Sequence, residues 1–329
     1  MAKPEYCQGT EKPPPLVKKK RTTRSCRNRE GLERGVLALF HLKEWQDGWL
    51  KVYEFFDDIG TAARFVPERG GILTEFALEG IPVFYLDRDT LHDPGKNIRG
   101  GNPVLFPVCG PLEEGRYTLE DRRQFEMKQH GLARNLPWTV TEARCEEEKA
   151  VLKMRLESSE ETKRAYPFDF SLDFTYIVER GAITVRQKYY NGSPGQMPFY
   201  AGLHPYFLTR GDKAVSLHIP AEGCYDIISG QKADINGIPG FKAEPETNLI
   251  FFGLKSDQAW FKRSDGLRVT VRYDRSFKYI VLWTLQDRDF LCIEPWMGSN
   301  FDMNRGNARL LGPGEELSAE VSYLFEQLP

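Results

Sequence analysis

The sequence is short of several things that would fix its class at once. No apolar run approaches the roughly 20 residues of a membrane-spanning helix, and no apolar segment follows the first methionine, so neither a membrane-embedded nor a conventionally secreted protein is expected. Charge of one sign is lacking too: 45 lysines and arginines stand against 47 aspartates and glutamates, a formal net charge of −2. No global positive field gathers nucleic acid, which is therefore not an expected partner. The six cysteines (Cys7, Cys26, Cys109, Cys145, Cys224, Cys292) are scattered, with no CxxC pair and no cysteine/histidine cluster of zinc spacing. They read as reduced thiols, mostly core filler, in the cytoplasm. Histidine is scarce, with five in 329 residues.

Aromatic residues, by contrast, are plentiful: 21 Phe, 14 Tyr and 6 Trp, within a chain that is 40 % hydrophobic and 28 % charged. That is enough to bury a sizeable core and leave rings over for a surface cleft. Residues 1–30 differ in kind. Pro13, Pro14 and Pro15 precede Lys18, Lys19, Lys20 and Arg21, and apolar residues are few, so burial cannot offset the ordering entropy. This stretch is expected to be a disordered basic, proline-rich tail, with organellar import as the alternative, since acidic residues are sparse there. From Glu30 to Trp45 the spacing of Leu32, Val36, Leu37, Leu39 and Phe40 predicts a short amphipathic helix.

After residue 50 the period becomes two. Leu152, Met154 and Leu156 alternate with charged residues, as do Ile183 and Val185, and Val269, Val271 and Tyr273. Turn signals at Glu179-Arg180-Gly181, Asn191-Gly192-Ser193-Pro194, Asn236-Gly237 and Ser264-Asp265-Gly266 sit where hairpin connections belong. Tyr279 to Trp283 and Phe290 to Ile293 are continuously apolar, as strands buried on both faces are. The fold class is all-β: one large antiparallel sandwich over residues 50–329.

Three places carry candidate chemistry. His130 stands in Gln129-His130-Gly131-Leu132-Ala133-Arg134 and His204 in Gly202-Leu203-His204-Pro205-Tyr206-Phe207, beside residues that bend the backbone. Bends are where strands deliver side chains to a cleft, although each histidine taken alone is as readily a satisfied structural one. Glu294 follows the apolar strand directly, where desolvation raises a carboxylate toward the working range of a general base; an exposed strand-end glutamate is the alternative. Arg99-Gly100-Gly101 offers a guanidinium fork beside a backbone free to approach a ligand. It lacks the GK[ST] and the strand-turn-helix context of a nucleotide loop. His218, between Leu217 and Ile219, is expected to face solvent on a strand.

Together the motifs resemble the aldose 1-epimerase superfamily, the galactose-mutarotase-like proteins. The resemblance runs from about residue 50 to 325: Pro67-Glu68-Arg69-Gly70-Gly71, Arg99-Gly100-Gly101 to Phe106-Pro107, His130-Gly131-Leu132-Ala133-Arg134, Leu203-His204-Pro205-Tyr206-Phe207, Glu294-Pro295 and Leu311-Gly312-Pro313-Gly314. It implies a galactose-mutarotase-like supersandwich in which Glu294 is the base on the anomeric hydroxyl and His204 the acid on the ring oxygen. It further implies that His130 and Arg99 hold the sugar, and that Asp226 grips sugar hydroxyls. Arg99 and Arg134 look like the hexose-6-phosphate branch, whereas Glu294-Pro295-Trp296-Met297-Gly298 looks more like a bacterial branch of other substrates. The expected activity is interconversion of the two anomers of a hexose or hexose 6-phosphate, by side chains alone and with no metal or organic cofactor. Trp296 and Tyr206 are expected to offer flat faces to the sugar or simply to pack. Two other readings stay open at this level: a non-catalytic carbohydrate-binding sandwich, and a glycosidase, which needs two carboxylates about 5 to 10 Å apart.

Overall fold

Alternation sets the strands. In Phe170–Glu179 the residues Phe170, Leu172, Phe174, Tyr176 and Val178 are buried while those between them are part-exposed; in Lys149–Glu157 the same holds for Leu152, Met154 and Leu156. One face meets a core and the other meets water. The computed structural model describes residues 39–211, 216–227, 229–233 and 246–328. The proline-rich tail, Cys7, Cys26 and the Asn236-Gly237 turn lie outside the described residues.

Three antiparallel sheets carry most of the chain. A long-strand sheet runs, in spatial order, Ser216–His218, Gln258–Lys262, Leu267–Tyr273, Glu316–Gln327, Ala182–Asn191, Phe170–Glu179, Lys149–Glu157 and Thr139–Cys145. The site sheet runs Lys232–Ala233, Gly223–Asp226, Glu246–Phe252, Tyr279–Leu285, Phe290–Trp296, Gly202–Leu203 and Val104–Leu105, with Tyr206–Leu208 also on Phe290–Trp296. A meander of Phe40–Asp47, Leu50–Asp57, Ala62–Val66, Ile72–Leu78 and Ile81–Pro82 forms the third. The two large sheets share one core, where Phe207 of the site sheet meets Phe261 and Tyr323 of the long-strand sheet at ring distances of 5.5 and 5.9 Å. The all-β antiparallel sandwich expected from the sequence is the architecture found.

The helix expected to end at Trp45 is not there. Phe40 to Trp45 lie in the strand Phe40–Asp47, paired from Phe40↔Asp57 to Asp47↔Leu50, and the part before residue 39 is outside the described residues. Gly48, at φ 64°, makes the tight turn that such a hairpin requires, and cross-strand pairing overrides a helical spacing of only a few residues. The sandwich therefore begins about ten residues earlier than the periodicity suggested.

One core residue ties packing to the site. Phe106, fully buried, sits among Tyr166, Phe170, Tyr189 and Phe199 at 5.6, 5.0, 5.9 and 5.6 Å, burial that contributes about 1.5–3 kcal/mol. Its carbonyl accepts the N–H groups of Leu132 at 2.7 Å and Ala133 at 3.2 Å. The loop that carries His130 and Arg134 is thus hung on the core. No disulfide links the described cysteines, and Cys109, Cys224 and Cys292 are buried as core filler. No helix among the described residues is long and apolar enough to cross a membrane.

Candidate active site

Strand register brings Glu294 and His204 together. Gly202 pairs with Trp296, and Tyr206 pairs with Cys292, so the interruption between these short strands sets His204 opposite Glu294 on Phe290–Trp296. His204 Nε2 lies 3.4 Å from Glu294 Oε1. Close approach here needs a glycine: a Cβ on Gly202 would fall 2.7 Å from Cys109 Sγ and 2.9 Å from the Pro295 carbonyl. His130 reaches the same place from a loop in which it takes a positive φ of 67°. Its backbone N–H donates to the Gly110 carbonyl, and the Gly110 N–H donates to His130 Nδ1 at 3.0 Å. With Nδ1 accepting, the neutral ring carries its proton on Nε2. The His130 and His204 rings meet edge to face at 5.3 Å.

These groups open on a cavity of about 310 Å³. His204 and Glu294 line it together with the rings of Tyr206, Trp283 and Trp296, the basic side chains of Arg99 and Arg134, and the polar groups of Asn97, Gln129, His130, Glu246, Asn248 and Asn300. Tyr206 stacks on His204 at 4.6 Å with a 6° interplanar angle, and Trp283 stands perpendicular to it at 5.6 Å. Arg134 is almost fully buried. Its Nη2 donates to the Ile98 carbonyl at 3.4 Å and its Nε has no partner. Among the described residues no carboxylate lies within ion-pair distance of Arg134 or Arg99.

Burial dominates the electrostatics. It pushes the Glu294 carboxyl well above the usual carboxylate range, opposed by the Trp296 indole N–H at 3.1 Å and by Arg134. Burial also holds His204 well below the ordinary histidine value, helped by the Arg134 charge, and does the same to His130, helped by Arg134 and His204. Burial thus works against charge on both members of the pair, the carboxylate form of Glu294 and the imidazolium form of His204. The His204 Nδ1 atom is buried without a hydrogen-bond partner.

Donor atoms of His204, Cys292 and Glu294 lie within 4.8 Å of one another. A zinc ion with ligands at about 2.0–2.3 Å would need them drawn closer, and the neighbouring Arg134 charge opposes a cation.

Five of the six expected site residues line the cavity: Glu294, His204, His130, Arg99 and Arg134. Asp226 does not. It pairs with Leu249, which pairs with Leu282 and through it with Ile293, so it belongs to the core-side face of the site sheet rather than the face of Glu294. The acid that stands at the cavity is Glu246, whose Oε1 accepts the Trp283 indole N–H at 2.8 Å. Glu246 and Asn248, two apart at the head of a strand, are a polar pair on one face. That spacing was the available signal.

Known proteins of this shape bear on the site. A solved structure of a Synechocystis protein is 33 % identical, with a TM-score of 0.80 over 84 % of this chain and 96 % of its own. A galactose mutarotase-like protein from Clostridium acetobutylicum shares the fold at 19 % identity, with a TM-score of 0.73 over 88 % of this chain and 99 % of its own. Among curated sequences, an Escherichia coli protein that carries the provisional name glucose-6-phosphate 1-epimerase is 29 % identical over 161 residues, 48 % of this chain. The match spans 50 % of that relative's length. The aldose 1-epimerase family model matches residues 58–324, and with the site geometry above it the chain belongs to the aldose 1-epimerase family.

Proposed function

We propose that the protein interconverts the α and β anomers of a hexose, preferentially a hexose 6-phosphate, by general acid/base ring opening. The observation that carries this reading is His204 facing Glu294 at 3.4 Å in the lining of a cavity of about 310 Å³. Opening a pyranose moves one proton off O1 and one onto O5 as the C1–O5 bond breaks. Glu294 takes the O1 proton and His204 gives its own to O5; rotation about C1–C2 and reclosure by the reverse transfers yield the other anomer.

Opening requires His204 protonated and Glu294 ionised, charged forms that burial disfavours in both. Arg134 adds to that effect at His204 and counters it at Glu294, so it helps to keep the base ionised, and an anion bound against Arg134 eases protonation of the imidazole. Two guanidiniums in the cavity lining, with no carboxylate partner among the described residues, suit a phosphate, to which arginine presents a fork of donors. Glu246 and Asn248 suit ring hydroxyls, and Trp283 and Trp296 suit the C–H face of the sugar. Asp226 is given no part.

Anomer-exchange NMR over glucose, galactose and glucose 6-phosphate tests the proposal. Exchange fastest with glucose 6-phosphate is the expected result, and no acceleration of any sugar would sink it. Glu246 gives the cavity a second carboxylate, so a hydrolytic reading has one observation in its favour; release of nitrophenol from nitrophenyl glycosides without anomer exchange would select it.

A further inference from the structure

The Pro67-Glu68-Arg69-Gly70-Gly71 segment contributes no residue to the cavity lining, yet its arginine is among the most buried charges of the described residues, 2 % exposed. Arg69 has no carboxylate within ion-pair distance among the described residues. Its guanidinium is spent on one loop: Nε donates to the Leu91 carbonyl at 2.9 Å, and Nη2 lies within hydrogen-bond distance of the carbonyls of Thr90 (3.1 Å), Asp93 (3.1 Å) and Lys96 (2.8 Å). That loop runs straight into Asn97 and Arg99, which line the cavity on either side of the buried Ile98. Thr90 closes the relay, because its Oγ1 accepts the backbone N–H of Arg99 at 2.9 Å.

The same turn grips the other cavity loop. Gly70 N–H donates to the Leu136 carbonyl and Trp138 N–H to the Pro67 carbonyl, each at 2.9 Å. A Cβ on Gly70 would lie 2.3 Å from the Arg134 carbonyl oxygen. Asn135 Nδ2 then donates to Asn97 Oδ1 at 3.0 Å across the two loops.

We propose that Arg69 is a positioning residue: through the carbonyls of Thr90, Leu91, Asp93 and Lys96 it fixes the reach of Asn97 and Arg99, and so sets affinity for the substrate's anionic end rather than the rate of proton transfer. The inference rests on the epimerase reading of the cavity. Glu294 sits on a paired strand, and the His204 segment is held by Val104–Leu105 and by the carbonyls of Gly101 and Pro103; these anchors lie beyond the residues whose carbonyls Arg69 binds, so loosening Thr90 to Lys96 leaves the acid/base pair in place.

Arg263 provides the control. It is equally buried, at 2 %, and donates to the Pro82 and Leu208 carbonyls, both at 3.1 Å, and to Asp265; neither it nor any of these partners lines the cavity. Lysine cannot reproduce a fork of donors at either site.

The experiment compares Arg69→Lys and Arg263→Lys in the full chain. Arg69→Lys should raise KM for glucose 6-phosphate about tenfold, with kcat held within about twofold, since a binding contact is lost and the transition-state step is not. Arg263→Lys should lower Tm without moving KM. In the Glu294→Gln background, quenching of Trp283 and Trp296 by glucose 6-phosphate should show the same weakening of Kd for Arg69→Lys, which tests the inference without turnover. If Arg69→Lys does not fold, Thr90→Val removes the Arg99 acceptor and should raise KM in the same sense, with Thr90→Ser restoring it. Equal KM in Arg69→Lys and wild type, or a loss confined to kcat, overturns the inference. A wild type that binds the sugar phosphate without exchanging its anomers overturns the epimerase reading and leaves the Kd comparison decisive; a wild type that does neither overturns both.

Discussion

In the long-strand sheet, Phe170–Glu179 buries five residues on one face and gives the other to half-exposed groups such as Asp173, which pairs with Arg155 at 2.7 Å. In the site sheet, Phe290–Trp296 buries all seven residues, and its second face carries Glu294 where the first strand has water-facing ion pairs. The core-side packing is alike in the two strands. What differs is the price of the polar group, which in the first strand is screened by solvent and in the second is desolvated and answered by a histidine and an indole. The carboxylate kept on the dry face is what makes Glu294 the candidate for chemistry, whereas Asp173 on the wet face has no such claim.

Breaking the dry face should have the largest effect. Glu294→Gln keeps the shape and the indole contact but cannot take the O1 proton, so anomer exchange should fall by about 10²- to 10⁴-fold with sugar binding little changed; retention of a third of the wild-type rate in exchange NMR would show that another group is the base. The two guanidiniums come next. Arg99→Ala should weaken hexose 6-phosphate by about 10- to 150-fold and spare the free hexose, as loss of one charge-assisted contact does. Arg134→Ala should slow both substrates, because Arg134 also sets the field at Glu294 and His204; steady-state kinetics on both sugars separate the two arginines.

A pH series sharpens the same contrast. Buried His130 and His204 hold protons less readily folded than unfolded, so their contribution to stability is whole above the ordinary histidine range and is lost as pH falls below about 6.5, by at most about 1.4 kcal/mol per pH unit for each. Glu294, raised by burial, works in the opposite sense: its contribution is present below about pH 4.3 and is lost as pH rises through its folded value. Below about pH 6.5 the two histidines outweigh the one carboxyl, so urea midpoints should drop from about pH 6.5 toward about pH 5, and His204→Asn should remove most of that net slope by leaving His130 and Glu294 opposed. The wet face should respond least. Asp173→Ala should shift stability by under about 1 kcal/mol and leave exchange untouched, and a larger loss in thermal denaturation would mean the two faces differ less than their exposure implies.

Much of this was legible before any coordinates. Leu152, Met154 and Leu156, or Ile183 and Val185, announce strands because one face of an antiparallel sheet must be dry, and Glu294 stood out because it interrupts an apolar run. His204 was marked by the glycine and proline that let its loop lie between two short strands. Register was not legible. Asp226 and Glu246 are both acids downstream of His204, and only pairing tells which shares a face with Glu294. Nor did the sequence near Phe40 separate a short helix from a hairpin, since the Asp47-Gly48 turn that decides it lies past the segment being weighed.

The place of Glu316–Gln327 in the long-strand sheet has a consequence for synthesis. It lies in the interior of the sheet, between Leu267–Tyr273 and Ala182–Asn191, although of the strands described it is the last to leave the ribosome. Until it arrives, two inner edges rich in valine and tyrosine stand unpaired, the state in which nascent β proteins stick to their neighbours. Cellular yield of this protein should thus depend on holding chaperones until Glu316–Gln327 has paired, and co-expression of such a chaperone should raise the soluble fraction.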